Sequence, residues 1–512
     1  MDFPRLISTY AAQHGQSGWP RQRLLHACLR AAIRDGTLAA GTRLPASRAL
    51  AQELGVARNT VLYAYEQLAS EGYVISDRRG TLVATLATRA AAMEPPSQQK
   101  PAAAAHTAST PTSGLARRAR NLRRVRGAAA RADAFVPGVP ALDQFPMALW
   151  RRLLERAWRT LTPAQLNYGH PSGEQALREA IADHVRAARG VVCDAASVFI
   201  TDGAQSSLDL CMRALADAGD TVWLENPGYG GALAAARAAS LSIAGIGVDD
   251  DGMAPAADDW LLRPPRLIYC TPSHQYPTGS VLSLRRRLAL IEAARTAGAV
   301  IIEDDYDSEF RHDGAPLSAM QGLVAEAPVV YLGTFSKTMF PGLRIGFVVT
   351  PAALAPAFAA LRAQTYASGR AAEQLALAEF LHSGQFARHV RRMRRLYRQR
   401  RDALVAALER HLGSVASVHG ASAGMHLSLR FGDQTLDDAA IGLQALEHGV
   451  AVNALSHHDT HGDSGWKGLM LGYAQVPAGQ MDELVQRLAA VLHLAAARQR
   501  RAASAGAGAR TA

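Results

Sequence analysis

Five short apolar runs constrain this chain more than any other feature. They are Val198-Phe199-Ile200, Thr221-Val222-Trp223-Leu224, Arg266-Leu267-Ile268-Tyr269, Val300-Ile301-Ile302 and Val329-Val330-Tyr331-Leu332-Gly333. Continuous apolar runs of this length, rich in β-branched residues, read as strands buried on both faces of a parallel sheet. The expected fold class is therefore α/β with a mainly parallel sheet. In open α/β sheets, ligands bind outside the carboxyl ends of the strands. The residues that follow each run are where chemistry is to be sought.

The last run delivers Thr334-Phe335-Ser336-Lys337, with Arg344 shortly after. A lysine at a strand end, with hydroxyls beside it and an arginine nearby, suits an aldehyde cofactor that also carries a phosphate. Pyridoxal phosphate held as a Schiff base is the expected group. The run Val300-Ile301-Ile302 continues into Glu303-Asp304-Asp305-Tyr306. Such a cofactor needs an acid against its pyridine nitrogen, and Asp304 is the candidate. Tyr306, two residues on and on the same strand face, is the candidate partner of the ring hydroxyl. Thr201-Asp202-Gly203-Ala204-Gln205-Ser206-Ser207 follows another run and opens a helix near Gln205. A helix start with small residues offers bare N–H groups to a phosphate. Glu225-Asn226-Pro227-Gly228-Tyr229 places an aromatic ring where it can cover the cofactor plane.

Four phrases carry a family likeness: Pro171-Ser172-Gly173 with Ala176-Leu177-Arg178, the stretch Pro272 to Gly279, Ile302 to Phe310 (IEDDYDSEF), and Gly333 to Arg344 (GTFSKTMFPGLR). From about Phe135 to Leu492 the chain resembles the fold-type I aminotransferases. It is closer to the aminotransferase-like half of the MocR subfamily of GntR transcription regulators. The resemblance implies that Lys337 forms the Schiff base, Asp304 meets the pyridine nitrogen, Tyr306 the ring hydroxyl, and Tyr229 stacks. It implies a phosphate site of Gly203, Ala204, Ser336 and Arg344, with Gln205 and Thr334 in the same cofactor-binding set. It also extends Tyr168 towards the phosphate of a partner subunit.

Two departures stand out. Ordinary aminotransferases have Asn-Pro-Thr-Gly where this chain has Tyr276-Pro277-Thr278-Gly279. They also carry an arginine near the C-terminus that clamps a substrate carboxylate in a bidentate fork. The matching stretch here, Lys467 to Tyr473, contains no arginine, and lysine is not an equivalent fork. A regulator that senses an amine, an amino acid or pyridoxal phosphate itself is the expected function. A working aminotransferase fused to a DNA-binding head is the alternative.

The first eighty-odd residues read as that head. Gln22 to Ile33 has Leu25, Cys28, Leu29 and Ile33 at helical spacing, and Gly36 stops it. A helix from Arg48 to Leu54, capped at Ala46 or Ser47, a turn at Gly55-Val56, and a helix from about Ala57 to Ser70 form a helix-turn-helix pattern. Val61, Tyr65 and Leu68 face inward. Arg58, Asn59, Thr60 and Tyr63 face outward near the start of the second helix, where base edges are read. Tyr73-Val74-Ile75 and Thr81-Leu82-Val83 flank a basic tip, Asp77-Arg78-Arg79-Gly80, and read as a wing. The stretch from Gln16 to Val83 resembles the winged helix-turn-helix of GntR regulators. The likeness implies that Arg43, Ser47 and Arg48 meet phosphates or the groove edge, and that Gly80 sits at the wing tip.

The expected organisation is a DNA-binding domain at 16–84, an Ala/Pro/Arg-rich linker at 85–133, a cofactor-binding domain at 134–497 and a disordered tail at 498–512. A net charge of +11 over 512 residues favours a polyanionic partner, here double-stranded DNA. Seven arginines between Arg117 and Arg131 concentrate part of that charge in the linker. The four cysteines, Cys28, Cys193, Cys211 and Cys270, have neither disulfide nor metal spacing and fit a reducing cytosol. No metal is expected: His457-His458-Asp459 with His461 and Asp463 reads as a mobile loop near the effector mouth. Arginine-rich Gln385 to Arg401 reads as an amphipathic helix with a solvated charged face. No apolar run reaches membrane-spanning length. A domain-swapped homodimer in the cytoplasm is expected from the resemblance.

Overall fold

The computed structural model describes residues 1–14, 18–77, 80–85, 134–314, 317–365, 369–460, 462 and 464–508. The chain divides into two compact units, Met1–Pro111 and Thr112–Ala512. The linker expected at 85–133, apart from Thr85, lies outside the described residues, as do Arg78 and Arg79 of the wing tip and His461 and Asp463.

The smaller unit packs four helices and a hairpin around one core. The helices are α1 (Phe3–His14), α2 (Arg21–Arg34), α3 (Ser47–Leu54) and α4 (Arg58–Ser70), and the hairpin pairs β1 (Val74–Asp77) with β2 (Gly80–Val83). Helix α1 adds to the expected elements. Its Phe3, Leu6 and Ile7 recur at helical spacing and pack against Leu25, Leu29 and Leu50. Helix α3 ends at Gly55 in the left-handed conformation, φ 61°, with the Val56 N–H reaching the Ala51 carbonyl at 3.0 Å. That closure turns the chain sharply into α4. Val61 plugs the crossing and is fully buried, as are Ala64 and Leu68. The wing is antiparallel, Val74 opposite Val83, and the Leu44 N–H donates to the Thr81 carbonyl at 2.8 Å. Tyr65 ties α4 to the loop before α3 by donating to the Pro45 carbonyl at 2.9 Å.

The larger unit holds two sheets. The first has eight strands in the order β3-β10-β9-β8-β7-β4-β5-β6. They are β3 (Val198–Thr201), β4 (Thr221–Asn226), β5 (Ser242–Asp249), β6 (Gly252–Met253), β7 (Leu267–Cys270), β8 (Val300–Asp305), β9 (Val329–Thr334) and β10 (Gly346–Val349). The central strands β5, β4, β7, β8 and β9 run parallel, while β10 is antiparallel to both β9 and β3. Every residue of β3, β7, β9 and β10 is buried, which is why their sequences are unbroken apolar runs. Gly346 lets β10 approach the turn after β3: a Cβ there would lie 2.8 Å from the Gly203 Cα.

The second sheet is antiparallel, in the order β11-β12-β14-β13: β11 (Ala416–His419), β12 (His426–Phe431), β13 (Asn453–Ala454) and β14 (Gly468–Gly472). Two 28-residue helices, Gln385–Leu412 and Met481–Gly508, pack against each other in this part of the molecule. Two expectations change here. The last helix runs past Arg498 to Gly508, because its alanine- and arginine-rich sequence favours helix. The arginines of Gln385–Leu412 are not simply a solvated face. Arg394 donates to the Glu309 carbonyl at 2.9 Å and Arg401 to the Ala421 carbonyl at 3.1 Å, while Arg398 and Arg400 reach the His312 and Ala474 carbonyls. Among the described residues, no helix is long and apolar enough to cross a membrane.

Candidate functional site

A cavity of about 220 Å³ opens where the parallel strands end. Lys337, just past β9, reaches into it and donates to the Gly138 carbonyl at 2.7 Å. The fit there is close: Gly138 has φ 76°, and a Cβ on it would lie 2.6 Å from the lysine Nζ. Burial holds the Lys337 amine below its ordinary range, against the pull of the Asp307 and Asp304 carboxylates.

Asp304, near the end of β8, lines the same cavity. One of its oxygens accepts from the Tyr269 hydroxyl at 2.8 Å, while the other is buried with no hydrogen-bond partner. Burial pushes its carboxyl up to about 7, helped by the neighbouring Asp305 and opposed by Tyr269 and Lys337. Tyr306 lies one residue beyond the strand and still lines the cavity, donating to the His274 carbonyl at 2.8 Å.

Ala204, Gln205, Tyr229, Thr334, Ser336 and Arg344 complete one side of the wall. Helix Ala204–Leu215 starts here, and its first N–H groups have no acceptor within the helix. Gly203 caps it at φ 92°, and a Cβ there would sit 3.4 Å from the Arg344 guanidinium. Arg344 itself adopts the left-handed conformation, φ 51°, and forms no ion pair among the described residues. Arg370 braces it by bonding the Leu343 carbonyl at 2.9 Å, along with the Arg344 carbonyl and Asp202. An unpaired guanidinium beside bare helix N–H groups is a site for a phosphate.

The sequence reading missed several wall residues: Gly138, Tyr269, Thr271, Asp307, Met425 and His426. Asp307 was present in the phrase IEDDYDSEF. It pairs with His274, Oδ2 to Nδ1, at 3.1 Å, deep in the protein. His426 starts β12, far along the chain, and no local pattern marked it. Tyr276 does line the cavity, in edge contact with Tyr229, Tyr306, His426 and His458. Lys467 is not in the wall; its ammonium lies 3.8 Å from Asp438. Tyr168 is 88% exposed and is not in the wall either. The loop expected to be mobile is anchored at His458, whose carbonyl accepts from the Gly228 N–H at 2.9 Å and whose ring packs on Tyr276.

In the smaller unit, Arg43, Ser47 and Gly80 line one groove. A Cβ on Gly80 would lie 3.9 Å from the Arg43 side chain, so that arginine sits at the wing. Arg58, at the start of α4, donates to the Ser47 hydroxyl at 3.4 Å. Arg43, Arg48, Arg58 and Asn59 are exposed, Thr60 is half-buried, and Tyr63 is 41% exposed.

Comparison with known proteins agrees with both parts. Residues 141–488 match the family model for aminotransferase class I and II, and residues 23–83 match that for bacterial regulatory proteins of the gntR family. The chain is 39% identical over 477 residues to the probable rhizopine catabolism regulatory protein MocR of Rhizobium meliloti, covering 92% of this chain and 93% of that one. The kynurenine aminotransferase of Pyrococcus horikoshii, solved with PMP, aligns with a TM-score of 0.67 at 26% identity over 74% of this chain and 97% of its own. The α-aminoadipate aminotransferase LysN of Thermus thermophilus, solved with N-(5'-phosphopyridoxyl)-L-leucine, gives 0.65 at 29% identity over 71% and 92%.

The Lys337 environment makes a direct prediction. A lowered amine pKa means more neutral, nucleophilic amine at a given pH. Acylation of the purified protein across alkaline pH, read by peptide mass spectrometry, should give Lys337 a half-reaction point below the usual lysine value of about 10.4. A lysine cradle, an unpaired buried acid and an anion cup in an aminotransferase fold, on a chain that begins with a winged helix-turn-helix, place this protein in the MocR-type branch of the GntR family of bacterial transcription regulators.

Proposed function

We propose that the larger unit binds pyridoxal phosphate, that an amine effector reacts with it there, and that occupancy of this site sets how the winged helix-turn-helix holds operator DNA. One observation carries the cofactor reading: a buried Asp304 oxygen with no partner, in a cavity shared with a lysine amine of lowered basicity. A protonated pyridine nitrogen is the partner that this oxygen lacks. The cofactor, when bound, supplies an aldehyde carbon that condenses reversibly with amines.

The other residues divide the remaining tasks. Lys337 holds the aldehyde end, since its amine is made less basic by burial and is already fixed by Gly138. Tyr306 faces the ring hydroxyl, and Tyr229 covers the ring plane. The helix start at Gly203, Ala204 and Gln205 takes the phosphate with Thr334, Ser336 and Arg344. Tyr269 keeps Asp304 oriented by its hydrogen bond.

A homodimer fits the surface. Met147, Trp158, Leu166 and Tyr168 are large apolar or aromatic side chains left exposed along and just after one helix, and Arg344 is exposed at the mouth of the cavity. A second copy laid on this face would cover them and bring its Tyr168 towards the phosphate. Two DNA-binding heads, each exchanged onto the other chain's larger unit, would then meet two half-sites at fixed spacing. Arg58, Asn59, Thr60 and Tyr63 would face the major groove, with Arg43, Ser47, Arg48 and Gly80 along its edge and the wing. The protein acts as a cytoplasmic regulator in this reading. Binding is favoured over turnover because Lys467, in the stretch where aminotransferases carry a carboxylate clamp, pairs with Asp438 instead.

Two variants test the two halves. Lys337→Ala should give a folded protein in which added pyridoxal phosphate no longer produces a protein-bound visible band; a surviving band contradicts the assignment. Arg58→Ala should weaken binding to the chain's own upstream DNA by about 1–3 kcal/mol, measured by fluorescence anisotropy. An unchanged affinity removes Arg58 from the interface.

A further inference from the structure

Tyr276 anchors a stretch of cavity wall that none of the roles above uses. Its ring meets His426 edge-on at 5.5 Å and His458 at 5.2 Å. Leu455, Trp466 and Met470 form a small buried cluster against which Tyr276 packs. Tyr276 and His426 line the cavity, and the apolar cluster stands behind Tyr276. The Tyr276 hydroxyl has no hydrogen-bond partner among the described residues. His426 is 1% exposed, and its Nε2 is buried without a partner; the Nε2 of His458 is likewise unpartnered.

Burial disfavours the charged form of both imidazoles. Burial drives His426 well below its ordinary value, with further repulsion from His274 and Lys337. Burial, with His457 nearby, brings His458 down to about 4. A neutral imidazole presents one donor and one acceptor, which suits a hydroxyl group. It offers no charge to a carboxylate.

Among the described residues that line the cavity, the only cations are Lys337 and Arg344, and the cofactor reading uses both. Other cations near this wall are engaged. Lys467 pairs with Asp438, and Arg430 lies over the Trp466 ring at 4.6 Å and bonds the Gly465 carbonyl at 3.3 Å. Asp304 and Asp307 meanwhile bring two carboxyl groups to the same cavity. Among the described residues lining the cavity, an effector carboxylate would meet no guanidinium beyond Arg344, which the phosphate uses, and would sit against Asp307, which is unfavourable in a buried site.

We propose that the effector is an amine bearing hydroxyl groups and no carboxylate, its hydroxyls taken by Nε2 of His426 and the hydroxyl of Tyr276. This rests on the pyridoxal phosphate reading above and names the ligand class for that site. His426 and Tyr276 are specificity residues in this scheme, and Leu455, Trp466 and Met470 hold Tyr276 in place.

The test uses the full chain loaded with pyridoxal phosphate. Loading is checked first by the protein-bound visible band; its absence overturns the cofactor reading itself and the inference with it. The loaded protein is then titrated calorimetrically with 2-amino-1,3-propanediol, propylamine, alanine and 4-aminobutanoate. The aminodiol should bind about tenfold more tightly than propylamine, the worth of one or two hydrogen bonds. The two amino acids should bind no better than propylamine. In His426→Leu the ratio of aminodiol to propylamine affinity should collapse towards one. Tyr276→Phe, which removes only the hydroxyl, should reduce the same ratio and serves where His426→Leu fails to load. Tighter binding of either amino acid than of propylamine, which a guanidinium from a second copy would produce, overturns the inference while leaving the cofactor reading intact. So does a loaded protein that binds none of the four amines, or a ratio unchanged in both variants.

Discussion

A lysine amine made less basic by burial, and seated on a backbone carbonyl, is the point on which the larger unit turns. An isolated buried ammonium would cost several kcal/mol, so it must be paired, neutralised or converted. Lys337 is part of each solution at once: it bonds Gly138, its basicity is reduced, and two carboxyl groups stand near it. The sheet exists around that arrangement. Strands β3, β4, β7, β8 and β9 bring Gly203, Glu225, Thr271, Asp304 and Lys337 to one end of the sheet, from positions scattered over more than a hundred residues.

The polar residues behind the cavity are nearly all accounted for, which makes the exceptions informative. Glu225, pushed up to about 7 by burial, accepts from the Thr271 hydroxyl at 2.6 Å and faces the Gln275 amide at 3.2 Å. That amide also reaches the Pro227 carbonyl at 2.9 Å and the Tyr276 carbonyl at 2.7 Å. The loop carrying Tyr276 is thus cross-braced to the loop carrying Tyr229. The turn at His458 and Thr460 holds the same region from the second sheet, through the Gly228 N–H at 2.9 Å and Asn226 Oδ1 at 2.8 Å. A ligand that shifts Tyr276 therefore acts on a junction between the two sheets. Any ligand that binds two arrangements of this junction unequally will shift the balance between them.

Much of this was legible in the amino-acid order, for identifiable reasons. Buried strands leave unbroken apolar runs, so β3, β4, β7, β8 and β9 were visible, together with the residues at their ends. The helix-turn-helix was visible because Gly55, Ala51 and Val61 each do a job that few other residues can. Strand β10 was not named, although its four residues are as fully buried as those of β3 and β7. Gly138 and His426 were not, because they join the site across long gaps: Gly138 meets Lys337 from 199 residues away. Tyr168 was named from the resemblance, and within one chain it stands in the open, away from the cavity wall. The C-terminal segment expected as a tail from Arg498 continues as helix to Gly508, since alanine and arginine favour helix.

The measurement that bears most directly on the account is operator binding by the full chain as pyridoxal phosphate is titrated, followed by anisotropy at fixed low salt, for the native protein and Lys337→Ala in parallel. The account predicts that the cofactor changes the affinity or the half-site pattern of the native protein and has no effect on the variant. Superimposable curves for the two proteins, with the cofactor demonstrably bound to the native one, would contradict a link between the cavity and the DNA-binding head.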